Sequence, residues 1–156
     1  MKSRLNVSTL AEAFNRQHRE LDERYSRLLE SSKGGDWRDC DKDWEPLSKA
    51  LRDHMSFEER QLFRLYEKSN TASLADTVAL REDHDAIRTS LERLGNEIEL
   101  HHAPPAELEK FIVTLRQHAR REDTLFHPWL MTASLDEATL HRARDWLRNL
   151  VELAVA

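Results

Sequence analysis

Apolar residues recur along this chain three and four positions apart, in long stripes interrupted by short polar or Gly/Pro-containing breaks. The first stripe runs Leu10, Phe14, His18, Leu21, Tyr25, Leu28 and ends in S-S-K-G-G, where Gly34 and Gly35 suit a helix C-terminal cap. A capping box formed by Thr9 and Glu12 predicts that this helix opens near Thr9. The second stripe, Leu47, Leu51, His54, Glu58, Leu62, Leu65, predicts a helix from about Asp43, with Pro46 tolerated in its first turn. It fades at K-S-N-T-A-S, residues 68–73. A third, Leu80, His84, Ile87, Leu91, Leu94, Ile98, stops before H-H-A-P-P, whose prolines cannot continue a helix but can start the next. The fourth reads Leu108, Phe111, Leu115, His118, Glu122, Leu125, Trp129. A shorter apolar side (Leu140, Leu147, Leu150, Val151) follows a second capping box at Ser134 and Glu137. The pattern predicts an all-α, up-down-up-down four-helix bundle with a short additional C-terminal helix. We expect one domain over residues 1–156, with a core bundle at about 9–131 and a C-terminal helix at about 135–154.

Composition narrows the function classes. At 39% hydrophobic and 34% charged, the chain is too apolar for disorder and too interrupted by charge for a membrane span. A formal charge of −5 argues against a nucleic-acid partner, since backbone binding needs a basic face. Residues 1–24 never run apolar for more than a few positions, unlike a signal peptide. Cys40 is the single cysteine, so no intrachain disulfide forms and a reducing cytoplasm is the expected location. Cys40 itself reads as a structural thiol near a helix start.

Six polar residues occupy stripe positions where leucine would be the ordinary choice: His18, His54, Glu58, His84, His118 and Glu122. Two pairs share the form His-x-x-x-Glu, H-M-S-F-E and H-A-R-R-E, a spacing that puts both members on one helix face. The histidines are separated by 36, 30 and 34 residues (18 to 54, 54 to 84, 84 to 118), so the midpoints fall at 36, 69 and 101. Those midpoints coincide with or touch the three breaks. Ligands equidistant from the turns lie at one height in such a bundle.

An unpaired buried polar group costs about 1–3 kcal/mol, and a carboxylate more. Any one of these residues alone reads more simply as a satisfied core or surface group. Six in one layer call for divalent metal, which accepts neutral imidazole and neutralises carboxylate. Four imidazoles and two carboxylates exceed one tetrahedral zinc but suit two first-row metals bridged by carboxylate, iron first, with manganese or zinc as substitutes.

Other polar residues fit less well. His127 lies about 180° round the helix from His118 and should face away; His101 and His102 sit in a break; His141 is beyond the layer. Glu99 and His102 form a single Glu-x-x-His, too little for a ferritin-like site. Asp22, one turn past His18, is placed to orient His18 or to reach a metal. Glu59 and Asp123 read equally as solvated charges, inter-helix pairs or partners of the ligands. Phe14, Phe57, Phe63, Phe111, Phe126, Tyr25 and Trp129 read as core, some of them keeping the metal pocket dry.

The order H…HxxxE…H…HxxxE, with a Leu-Phe pair after each acidic doublet, resembles the hemerythrin-like, or HHE cation-binding, family over about residues 10–131. That resemblance implies a four-helix bundle with two iron ions meeting oxygen, nitric oxide or peroxide. His18, His54, His84 and His118 would be terminal ligands, and Glu58 and Glu122 would bridge. Oxygen-carrying hemerythrins take two histidines from the third helix, one turn apart. Here the positions four before and after His84 are Leu80 and Arg88, so a fifth imidazole is missing. Water, Asp22 or another carboxylate would have to fill the gap. The expectation is a binder or sensor of oxygen or nitric oxide, with a di-iron redox enzyme acting on nitric oxide or peroxide, or repairing iron centres, as the alternative. The apolar side of the fifth helix, with Trp146, offers either a lid or a homodimer surface.

Overall fold

The computed structural model describes the backbone at residues 7–69, 72–132, 136–139, 141–142 and 145. It is all-α, with no strand among the described residues. The elements are α1 (Val7–Lys33), α2 (Trp37–Phe57), a π-helical turn (Glu58–Leu62), α3 (Phe63–Glu67), α4 (Leu74–Glu99) and α5 (Pro105–Thr132). α2, the π turn and α3 form one continuous helical rod, so four rods make the bundle. Each packs on its neighbours in the cyclic order α1, α2, α4, α5.

Helix ends follow local chemistry. Gly35, at φ 71°, closes α1 in a Schellman arrangement, with Asp36 N–H donating to Ser31 C=O and Gly35 N–H to Ser32 C=O. Asp36 then caps α2, its carboxylate accepting the Asp39 N–H. The same device ends α4, where His101 takes the left-handed position at φ 56° while His102 N–H reaches Glu97 C=O. Non-glycine residues rarely adopt that conformation, and histidine is among those that do so more often. Pro105 opens α5 at its first position, where no N–H is needed.

Three expectations of the pattern are corrected. α2 begins at Trp37, not near Asp43, so Pro46 stands inside the helix. Thr9 lies within α1, which is already helical at Val7; the side chains of Thr9 and Leu10 lie outside the described residues. Leu65 and Leu125 are only partly buried, while Tyr66 and Phe126 take the core positions. Beyond Asp136, which caps the Thr139 N–H at 2.7 Å, residues 137–139 and 141–142 are helical. Ser134, Leu140, Trp146, Leu147, Leu150 and Val151 lie outside the described residues.

The core falls into two clusters. A leucine-rich one, including Leu21, Leu28, Leu51, Leu91 and Leu94, fills one end, and an aromatic one, with Phe14, Phe63, Tyr66, Phe126 and Trp129, fills the other. Cys40 belongs to the first; burial and the nearby Asp41 and Asp43 push its thiol up to about 11, consistent with a structural role.

Candidate metal centre

All six predicted residues meet in the layer between those clusters, each at least nine-tenths buried, with Glu58, His84 and Glu122 fully so. They form two overlapping groups, His18, His54, Glu58, Glu122 and Glu58, His84, His118, Glu122, each with ligand atoms within 4.8 Å of one another. Both glutamates belong to both groups. Among the described residues no seventh His, Cys, Asp or Glu joins them.

The imidazoles are locked from behind. His18 Nδ1 lies 2.8 Å from Asp123 Oδ1, His84 Nδ1 2.8 Å from Glu59 Oε1, His118 Nδ1 3.0 Å from Asp83 Oδ2, and His54 Nδ1 3.0 Å from Gln17 Oε1. Every one of these partner atoms is an acceptor, so each ring keeps a proton on Nδ1 and turns inward Nε2, the nitrogen that a metal would take in place of a proton. The partners form a closed ring round the bundle: α1 holds the histidine of α2, the π turn that of α4, α4 that of α5, and α5 that of α1.

Six groups able to bind a metal therefore converge. His18 and His54 bring their Nε2 atoms within 3.3 Å, and His84 and His118 within 2.9 Å. His54 Nε2 lies 2.8 Å from Glu58 Oε1 and His118 Nε2 2.7 Å from Glu122 Oε1. Yet both oxygens of Glu58, and Oε2 of Glu122, lack a properly aligned hydrogen-bond donor. Proximity without alignment is what ligand atoms aimed at a shared centre, rather than at one another, produce. Buried carboxylate oxygens in that condition need a cation, and this donor set fits a pair of divalent first-row metals.

Protons compete for the same nitrogens. Burial lowers the basicity of His18, but the hydrogen bond to Asp123 and the nearby carboxylates of Glu122 and Glu58 outweigh it and push it up to about 10. His84 is pushed up to about 10 in the same way, burial being overcome by Glu122 and Glu58, and His118 is also raised. Glu122 is held far below the ordinary carboxylate range: burial opposes this, and the charge of His118 with the close approach of the His18 and His84 imidazoles prevails.

Asp22 does not take the role foreseen for it. It is paired with the Arg116 guanidinium, Nε to Oδ1 at 2.5 Å, so it neither orients His18 nor approaches the centre. The pull of a cation on another helix decides this. Arg88, at the position where a fifth histidine would stand, binds Glu59 with two nitrogens at 2.9 and 3.0 Å, and Leu80 is packed in the aromatic cluster. Periodicity did not point to Gln17 or Asp83. Their signal was adjacency: all four outer partners directly precede or follow a ligand. His127 pairs with Asn15 at 3.0 Å outside the centre, His101 stacks on Trp37, and His102, Glu99 and His141 are exposed.

A cavity of about 880 Å³ opens along α1 and α5 and reaches His18, His54, His118 and Glu122. The hydroxyl-bearing ring of Tyr25, 5% exposed, lines it, and burial together with the charges of Glu122, Asp22 and Glu58 pushes that phenol above its usual range.

The family model of the hemerythrin HHE cation binding domain matches residues 9–130. The chain belongs to that family. No curated protein and no solved structure matches it significantly. As a hemerythrin HHE domain it is a metal-cation-binding helical bundle, and its two His/Glu clusters supply the donors. No helix among the described residues is long and apolar enough to cross a membrane.

Proposed function

We propose that this hemerythrin HHE domain holds two iron ions, replaceable by manganese or zinc, and there binds or senses a diatomic gas, oxygen or nitric oxide, in the cytoplasm. His18 and His54 would hold one ion, His84 and His118 the other, with Glu58 and Glu122 bridging. The observation that carries this reading is the sharing of both buried glutamates by both clusters. Iron would supply an open position and redox electrons. The chain's own part is to fix four imidazole tautomers, to neutralise charge with two carboxylates, and to exclude water. Phe14 packs edge-on against His18, and Phe63 stacks on His84 at 5.4 Å. The cavity gives a small ligand its way in. With Arg88 and Leu80 where a further imidazole would be needed, one fewer protein ligand is present than in the oxygen-carrier pattern. This favours sensing or redox use over reversible carriage.

The test is anaerobic loading with ferrous iron, a count of bound iron, and the visible spectrum as oxygen is admitted and withdrawn. Two irons and a charge-transfer band that persists support a sensor or redox role; a band that fades on degassing supports reversible binding. Repeated turnover with a chemical reductant would favour the enzymatic alternative. Glu58→Ala and Glu122→Ala are each expected to lower iron to one or none, and full retention of two irons in both variants sinks the assignment.

A further inference from the structure

The four residues that hold the histidines from behind are not alike. Glu59, behind His84, is gripped by two nitrogens of Arg88 at 2.9 and 3.0 Å, and Asp83, behind His118, is gripped by Arg121. Asp123, behind His18, carries no arginine among the described residues. Behind His54 stands Gln17, a neutral amide 6% exposed, whose Nε2 has no hydrogen-bond partner.

The difference is chemical. A carboxylate can only accept, so it keeps the imidazole proton on Nδ1 and strengthens Nε2 as a donor to metal. An amide does less and is ambivalent. Its oxygen accepts from Nδ1–H, as here; turned over, its NH₂ would donate to Nδ1 and move the proton to Nε2, the nitrogen a metal needs bare. His54 is thus the one ligand whose holder can serve both the engaged and the disengaged tautomer. Access differs in the same sense. The cavity borders both His18 and His54 but only His118 of the other pair, since His84 is fully buried under Phe63 and does not touch the cavity.

We propose that the two metal positions are unequal by construction: His84 and His118 form a tight position, His18 and His54 an exchangeable one, and Gln17 is the positioning residue that makes it so. This rests on the dinuclear reading above. The domain accordingly loads stepwise and persists with one metal bound, and the second metal enters and leaves from the cavity side.

The experiment is an anaerobic titration of the metal-free protein with cobalt(II), followed by its visible d–d bands and by calorimetry against a competing chelator. Wild type should bind two equivalents in two steps at least about tenfold apart, because outer partners of this kind change metal affinity by about 10–100-fold. Gln17→Glu should tighten the second step about tenfold and leave the first unmoved, a gain that a merely structural role would not give. Asp83→Asn should weaken the first step and narrow the gap, and it carries the test if Gln17→Glu does not fold. Two indistinguishable steps in wild type, or steps unmoved by the variants, overturn the inequality. Fewer than two equivalents at saturating cobalt would instead overturn the dinuclear reading itself.

Discussion

The two His-x-x-x-Glu arms of this domain are near copies in sequence, H-M-S-F-E-E-R-Q-L-F running from α2 through the π turn into α3 and H-A-R-R-E-D-T-L-F on α5, yet their backbones differ. Phe63 stands five residues after Glu58, and Phe126 four after Glu122. One arm has a residue too many for a regular helix. The π turn absorbs it: the Phe63 N–H donates to Glu58 C=O, five residues back, where an α-helix would bond four back. The two phenylalanines thereby reach equivalent places, both fully buried and stacked at 5.6 Å. Three residues further on, Tyr66 and Trp129 meet edge to face at 5.2 Å. A local irregularity restores the match between the arms. It also accounts for the burial of Tyr66 where strict helical spacing pointed to Leu65.

The sharpest way to break this comparison is a matched pair of deletions. Removing Thr124 from the regular arm should rotate Phe126, Trp129 and Leu130 by about 100° out of the core. Losing Phe126 burial alone is worth about 3–5 kcal/mol, so melting followed by circular dichroism should fall by more than about 10 °C, or the variant should not fold. Removing Gln61 from the other arm should let the π turn relax to α-helix. The core register would survive, and stability should stay within about 1 kcal/mol of wild type. Equal damage from both deletions would show that the π turn does not hold the compensating residue.

Between those extremes, Phe63→Ala and Phe126→Ala should each cost about 3–5 kcal/mol in denaturant unfolding of the metal-free protein, and nearly the same amount as each other. A gap of more than about 2 kcal/mol would mean that the two places are not equivalent. The smallest effect is expected at Leu65. Because the π turn moves it to the rim of the aromatic cluster, Leu65→Gln should cost no more than about 1 kcal/mol. A cost matching that of a buried leucine would put the phase of α3 in error.

Much of the site was legible in the chain. Helical period and the position of breaks are local properties, so stripe and punctuation together located the four long helical rods and put His18, His54, Glu58, His84, His118 and Glu122 at one height. The choice of polar residues at core positions carried the chemistry, because six buried donor groups in one layer need a cation to satisfy them.

What the chain could not reveal depends on which neighbour wins a side chain. Asp22 lies on the ligand face of α1 but goes to Arg116, since a guanidinium on α5 is within its reach and the centre is already filled by four imidazoles and two carboxylates. Glu59 and Asp123, undecided by spacing alone, are claimed by His84 and His18 respectively across helix seams. Gln17 and Asp83 sit about 100° from the ligand stripe on their own helices, so their roles exist only once α2 and α5 are set beside them. Periodicity determined which residues share a face, because that follows from the helix alone. The packing of four rods decided which atoms touch, because a hydrogen bond is formed within about 3 Å and that distance is settled between helices, not along them.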